Sequence, residues 1–279
     1  MHCLVTGATG FIGSALCAAL ADACVGVTRC GRESPTETQL AQVDVLFHCA
    51  GIAHRSASER DYQSVNYEST LALSSRAAAS GVRRFIFLSS VNAAQEHDAY
   101  GRWKQRTETA LRDTHASGAM SVINVRPALV YGKGAKGNLA RLIKLVRSGM
   151  PAPPDIGRRS MVGLDDLCRL LQMLVTEDTG HGSTLVVTDG EPYSLARLHC
   201  AIRQALGKRA GSARAPTWLW RLACDAQDLL RAHPGSGEAW RQLFGDAEFS
   251  NQSSRDALPW QPHDTFETCV TAMLREAAS

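Results

Sequence analysis

The sequence predicts an α/β fold in which a doubly wound parallel sheet carries a smaller, interleaved C-terminal lobe. Three observations predict it. Short apolar runs alternate with segments of helical periodicity through the first half of the chain, the pattern that builds parallel sheets. A glycine-rich turn joins the first apolar run to the first helical segment. The 279 residues, 44% hydrophobic and 20% charged, suffice to bury a core without disulfides or metal.

In order along the chain, residues 2–6 form a first strand around Cys3-Leu4-Val5, and 11–22 keep apolar positions at helical spacing. Residues 24–29 make the second strand, and 44–49 the third. The segment 36–43 has room only for a short helix. A long helix spans 58–80. Phe85-Ile86-Phe87-Leu88, within 84–88, is continuously apolar, as a strand covered on both faces must be. A helix over 99–116 and a strand over 121–126 follow. Beyond Pro127 the pattern loosens. A helix over 138–148 ends at Ser148-Gly149 before Pro151, Pro153 and Pro154, and another begins after Asp165-Asp166. A strand at 184–188 and a helix at 194–206 precede two Gly-containing breaks with tryptophan-bearing helices beside them. Trp218, Trp220 and Trp240 read as core rather than as a sugar-stacking set, and basic Arg141–Arg147 as a solvated helix face. The division is 1–135 for a first domain and 136–279 for a second, partly interleaved with the sheet.

Thirty Lys+Arg against 27 Asp+Glu leave a formal charge of +3, too balanced for a protein that wraps nucleic acid. Nine cysteines, an odd number without metal-ligand spacing, point to reduced thiols in a cytoplasmic protein with no metal site. The N-terminus lacks the pattern of a signal peptide. No apolar run approaches the roughly 18 residues of a membrane helix.

Thr6-Gly7-Ala8-Thr9-Gly10-Phe11-Ile12-Gly13 closes the first strand and opens the first helix, the context of a dinucleotide-binding, Rossmann-like turn. Gly7 permits the tight turn, Gly10 the approach of a pyrophosphate, and Gly13 close packing of helix on strand. The second strand runs into Val27-Thr28-Arg29-Cys30-Gly31-Arg32. Two guanidinium groups suit a 2′-phosphate, which favours NADP(H) over NAD(H), although NAD(H) is possible. His48 and His54 flank a glycine after the third strand and read equally as structural or as ligand contacts; His97 reads as solvated.

The fourth strand ends in Ser89-Ser90, and ten residues later comes Tyr100-Gly101-Arg102-Trp103-Lys104. Positions i and i+4 share a helix face, so phenol and ammonium meet. The lysine charge is expected to pull a phenol pKa of about 10 toward neutrality, where Tyr100 could give or take a proton.

With these residues assembled, the chain resembles the extended short-chain dehydrogenase/reductase family, which acts mostly on nucleotide-linked sugars. Further landmarks are His48-Cys49-Ala50-Gly51, Val65-Asn66-Tyr67, Val125-Arg126-Pro127, Arg159-Ser160-Met161-Val162 and Leu258-Pro259-Trp260. The resemblance implies catalysis by Ser90, Tyr100 and Lys104. It implies cofactor contacts from Gly7, Thr9, Gly10, Phe11, Ile12, Gly13, Arg29, Arg32, Cys49, Ala50, Gly51, Asn66, Ser89, Tyr100, Lys104 and Pro127. Ser90, Asn92, Tyr100, Asn138 and Arg159 are the implied substrate contacts, Arg159 meeting the nucleotide diphosphate. A homodimer through a helix pair is implied as well. Within the family the chain looks most like reductases of UDP-linked 4-keto-6-deoxy-N-acetylhexosamines, which serve surface polysaccharide synthesis.

Two departures stand out. Only fourteen residues separate Arg29 from Asp44, too few for the usual helix and extra edge strand, so one strand is expected to be missing. And Val91-Asn92 stands where a sugar dehydratase needs an Asp-Glu pair, which excludes that chemistry. An NADPH-dependent 4-keto-sugar reductase is the first reading, an NAD(P)-dependent nucleotide-sugar 4-epimerase the second, and a non-catalytic NADP(H)-binding sensor or partner protein the third.

Overall fold

A computed structural model describes residues 1–23, 25–53, 57–95, 98–118, 120–209, 215–230 and 236–276. In chain order the elements begin β1 (His2–Thr6), α1 (Phe11–Asp22), β2 (Gly26–Cys30), α2 (Glu37–Leu40) and β3 (Val45–His48). Next come α3 (Glu59–Asp61), a π-helix (Tyr62–Glu68), α4 (Ser69–Ala79), β4 (Arg84–Leu88), a 3₁₀ turn (Val91–Ala94) and α5 (Ala99–Thr114). Then follow β5 (Ser121–Pro127), β6 (Leu129–Tyr131), α6 (Asn138–Arg147), β7 (Arg159–Gly163), α7 (Leu164–Met173), β8 (Thr184–Val187) and β9 (Pro192–Tyr193). The chain continues through α8 (Leu195–Ala205), α9 (Thr217–Leu230), α10 (Glu238–Phe244), α11 (Gln252–Ala257) and α12 (Phe266–Glu276).

The chain divides into two compact units. The first comprises Met1–Ala128, Leu164–Val187 and Ser250–Gln261. Its parallel six-stranded sheet has the order β2-β1-β3-β4-β5-β8. Leu4, Leu46, Phe47, Phe85, Phe87, Val122 and Ile123 are buried, the burial that a sheet flanked by helices on both sides imposes. Strand order reverses between β1 and β3. The crevice beyond their carboxyl ends is where open α/β sheets take ligands.

The sheet ends at β2 among the described residues, as the short Arg29–Asp44 connection predicts. The connection holds only α2, started by a Thr36–Gln39 capping box. Arg76 of α4 ties it down, bonding Glu37 at 2.6 Å and the Pro35 carbonyl at 2.6 Å.

The predicted 58–80 helix is interrupted. Tyr62–Glu68 is a π-helix, a widened turn that is frequent at functional sites.

The second unit comprises Leu129–Gly163, Thr188–Phe249 and Pro262–Ser279. It holds a small sheet of order β6-β7-β9 that the sequence pattern did not reveal. Its core gathers Tyr131, Tyr193 and Phe266 edge to face, and both phenols donate to Asp189 Oδ2 at 2.8 Å. Trp220 and Trp240 pack on Phe244, as core residues do. Trp218 departs from expectation: it is 64% exposed. On α6 the predicted solvated face stands, with Arg141 and Lys144 exposed. No helix among the described residues is long and apolar enough to cross a membrane.

Candidate active site

The glycine turn sits at the end of β1. Gly7 adopts φ +66°, and a Cβ there would lie 2.8 Å from Ala50 N and 2.9 Å from Cys49 C. The turn therefore packs directly on Cys49-Ala50 after β3. A Cβ on Gly13 would strike the Gly7 carbonyl at 2.2 Å, so α1 approaches β1 only because that residue has no side chain. A Cβ on Gly10 would meet nothing closer than the Gly7 carbonyl at 3.1 Å. Gly10 leads into α1 with no side-chain cap, and its open flank leaves the first-turn N–H groups of Phe11, Ile12 and Gly13 uncapped by any described side chain. Such a helix start, with its dipole, suits a phosphate. Thr9 lies beside Gly31, whose Cβ would be 3.7 Å from its methyl, so the turn after β2 borders the glycine turn. Arg29 and Arg32 are exposed at that end of β2, and Glu33 is exposed next to them.

At the ends of β3 and β4 a polar network holds the next wall. Thr6 and His48 are register partners, and the Thr6 hydroxyl meets His48 Nδ1 at 2.8 Å. His48 Nε2 lies 2.9 Å from Thr70 Oγ1, which itself donates to the Asn66 carbonyl at 2.9 Å. With its proton committed there, Thr70 accepts from His48, which fixes the Nε2–H tautomer. Burial pushes His48 down to about 3, with the Lys104 charge adding to the effect, so the imidazole is neutral. The Asn66 side chain closes a two-way clamp on Ile52, accepting from its N–H at 2.7 Å and donating to its carbonyl at 2.9 Å. Gly51, at φ +153°, passes between that amide and Lys104.

Lys104 is buried and donates to the Leu88 carbonyl at 2.8 Å, with Nζ 4.4 Å from the Phe87 ring centroid. Burial lowers it to about 8, opposed by Glu108 one turn further along α5. Glu108 is itself held by Arg126 of β5, Nε to Oε1 at 2.9 Å. Ser90 accepts from Asn92 N–H at 3.2 Å, and its hydroxyl is near enough to the Tyr100 phenol to favour the phenolate. That approach depends on Gly101, whose Cβ would fall 2.4 Å from the Asn92 carbonyl; any larger residue would push α5 away from the Ser90 turn. Asp98 caps α5 through Gly101 N at 2.7 Å. Tyr62 of the π-helix lies against Tyr100 with centroids 6.0 Å apart.

One expectation is corrected. Tyr100 is pushed up to about 12 by desolvation, and Ser90 opposes that rise. Lys104 Nζ stands 6.0 Å from the phenol ring centroid, too far to overcome burial. The phenol therefore stays protonated at neutral pH, as a proton donor requires.

The structure thus brings together the Gly7–Gly13 turn, Cys49–Gly51, Asn66, Ser89, Ser90, Asn92, Tyr100 and Lys104 in the first unit, with Pro127 at the end of β5 in the same sheet. Ser89 Oγ is buried without a hydrogen-bond partner among the described residues. Such an orphaned hydroxyl, an open Gly10 flank and an uncapped helix start all fit a dinucleotide. Asn138 and Arg159 belong to the second unit. Asn138 is exposed after Gly137, and the Arg159 guanidinium donates to the Gln242 and Leu243 carbonyls at 2.8 and 3.2 Å. His54 and His97 lie outside the described residues. Sequence reasoning missed Gly101, the Asn66 clamp and the Glu108–Arg126 pair; only the glycine inside a helix gave a local signal.

Fold and site together define an oxidoreductase-type enzyme built around a nicotinamide dinucleotide. Residues 3–187 match the model of the NAD dependent epimerase/dehydratase family, and the chain belongs to that family. It is 27% identical to a UDP-glucose 4-epimerase of Vibrio cholerae over 95% of this chain and 92% of that protein. It is 31% identical to a UDP-2-acetamido-2,6-beta-L-arabino-hexul-4-ose reductase of Pseudomonas aeruginosa over 50% of this chain and 38% of that one. Its fold matches the UDP-glucuronic acid 4-epimerase of Bacillus cereus, solved with NAD, at a TM-score of 0.80 and 18% identity, covering 100% and 99% of the two chains.

Proposed function

We propose that the protein reduces the C4 keto group of a nucleotide-linked sugar, with a UDP-linked 4-keto-6-deoxy-hexosamine as the substrate class and NADPH as the cofactor. The observation that carries the reading is the Ser90 hydroxyl beside the Tyr100 phenol, with buried Lys104 one helical turn on and its Nζ 6.0 Å from the phenol ring centroid. A bound nicotinamide dinucleotide supplies the hydride. Tyr100 Oη gives its proton to the oxygen developing at C4, and Ser90 Oγ hydrogen-bonds the same oxygen, a preplaced donor where charge appears. Lys104, positively charged below about pH 8, offsets the negative charge left on the phenol and is held in place by the Leu88 carbonyl. Arg29 and Arg32 favour a 2′-phosphate over a bare ribose hydroxyl.

A second reading, nucleotide-sugar 4-epimerase, is favoured by the near full-length similarity to the Vibrio cholerae epimerase, and Glu33 offers a carboxylate to an NAD ribose. The same Ser90, Tyr100 and Lys104 would serve it. Two measurements decide. Tyr100→Phe should keep the fold and NADPH binding and lose turnover by roughly 10²–10⁴-fold; near-full turnover would remove the proposed role. Loss of nicotinamide absorbance in step with a UDP-4-keto sugar supports the reductase, whereas sugar interconversion without net cofactor consumption supports the epimerase. Cofactor binding with neither activity would favour a sensor.

A further inference from the structure

In the second unit, α9 turns an apolar face outward. Trp218, Leu222, Leu229 and Leu230 are 64%, 61%, 64% and 89% exposed, and Leu219 and Ala226 are exposed with them. At 3.6 residues per turn these six occupy an arc of roughly 120° with no polar residue in it. The other side of the helix faces the protein: Cys224 packs with Ala239 and Phe244, and buried Asp228 accepts from Ala239 N–H at 2.9 Å. A contiguous exposed apolar stripe on a folded enzyme marks an interaction surface.

Charge identifies what covers it. Between Glu191 and Asp225 the chain carries six basic residues and no acidic one. Lys208 Nζ reaches the Arg147 carbonyl at 3.1 Å, and Arg203 Nε the Arg209 carbonyl at 3.1 Å, gathering cations from the ends of α6 and α8. Lys208 and Arg209 are exposed. Trp218 sits at the border of the apolar arc, next to Arg221 and Asp225 by helical phase, the position of an aromatic at a membrane–water boundary. A second copy docking through this face would bring two basic segments together and be repelled. At 14 residues α9 is too short to span a bilayer.

We propose that α9 is a membrane-docking helix whose apolar face seats in the headgroup region of an anionic bilayer while the basic segment meets lipid phosphates. The face is independent of the reaction read from Tyr100.

The test is co-sedimentation of the full chain with vesicles of phosphatidylcholine alone or mixed with phosphatidylglycerol. Binding is expected only with the mixed vesicles and should weaken as salt is raised. The double variant Leu222→Gln, Leu229→Gln should abolish it while NADPH binding, read by fluorescence, is unchanged. Lys208→Glu with Arg209→Glu, which keeps the apolar face, should weaken it about tenfold or more. No binding of the wild-type chain, undiminished binding of the Gln variant, or a concentration-dependent dimer that the Gln variant breaks would each overturn the proposal.

Discussion

Replacing His48 by Gln should change how stability depends on pH, by an amount the structure sets. In the folded protein His48 is held down to about 3 against an ordinary value of 6.5, because it is buried between Thr6 and Thr70 with Phe87 stacked beside it. Below about pH 6.5 the unfolded chain takes up a proton that the folded protein refuses. The stabilising contribution is therefore complete above that pH and is lost progressively as pH falls toward 3, at about 1.4 kcal/mol per pH unit. Between neutrality and about pH 5 the loss from this one group is about 2 kcal/mol. His115 and His199 are also lowered by burial and contribute with the same sign, but they do so in wild type and variant alike. Gln carries no titrating group and can still reach Thr70. Urea denaturation at about pH 7.5 and about pH 5, followed by tryptophan fluorescence, should give a variant less stable at the higher pH, by about 1–3 kcal/mol for the broken network, yet with a smaller fall on acidification. Equal falls in the two proteins would refute a neutral, buried His48.

Three further outcomes follow from the site. Ser89→Ala removes a buried hydroxyl that has no partner, so stability measured by urea titration should hold or rise by about 1 kcal/mol, while NADPH affinity falls several-fold as one cofactor contact is lost. Gly10→Ala should fold, since its Cβ meets only the Gly7 carbonyl at 3.1 Å, but bind cofactor poorly; Gly13→Ala, with a Cβ 2.2 Å from that carbonyl, should be visibly destabilised in thermal melts. Reduction should hold a plateau at neutral pH, where Tyr100 is protonated, and decline as Lys104 loses its charge above about pH 8; a Lys104→Met variant, assayed across the same range, should be slow throughout and lack that decline.

Strands β1, β3 and β4 were legible because each holds a continuous apolar run closed by a turn, and the shortened β2–β3 connection could be counted directly. The glycine turn and the Tyr100–Lys104 spacing were legible because a local backbone rule fixes each of them. The small sheet was not: β6 has three residues and β9 two, too few to show a period. The Asn66 clamp and the His48 network join residues 14 to 42 positions apart, which no local pattern reports. The direction of the Tyr100 shift was misread because proximity to Lys104 is visible in the spacing, whereas burial of the phenol arises only when α5 and the π-helix pack together. Trp218 was misread for the converse reason, since helical spacing of apolar residues does not say which side faces solvent.

Among the described residues the sheet stops at β2, so a dinucleotide whose adenine lay on that side would have no further strand to lean against. A berth walled on fewer sides lets its occupant leave sooner. Rapid exchange burdens a catalyst that must recapture its own hydride in each cycle, but serves one that discards a spent carrier and picks up a fresh one after every turnover.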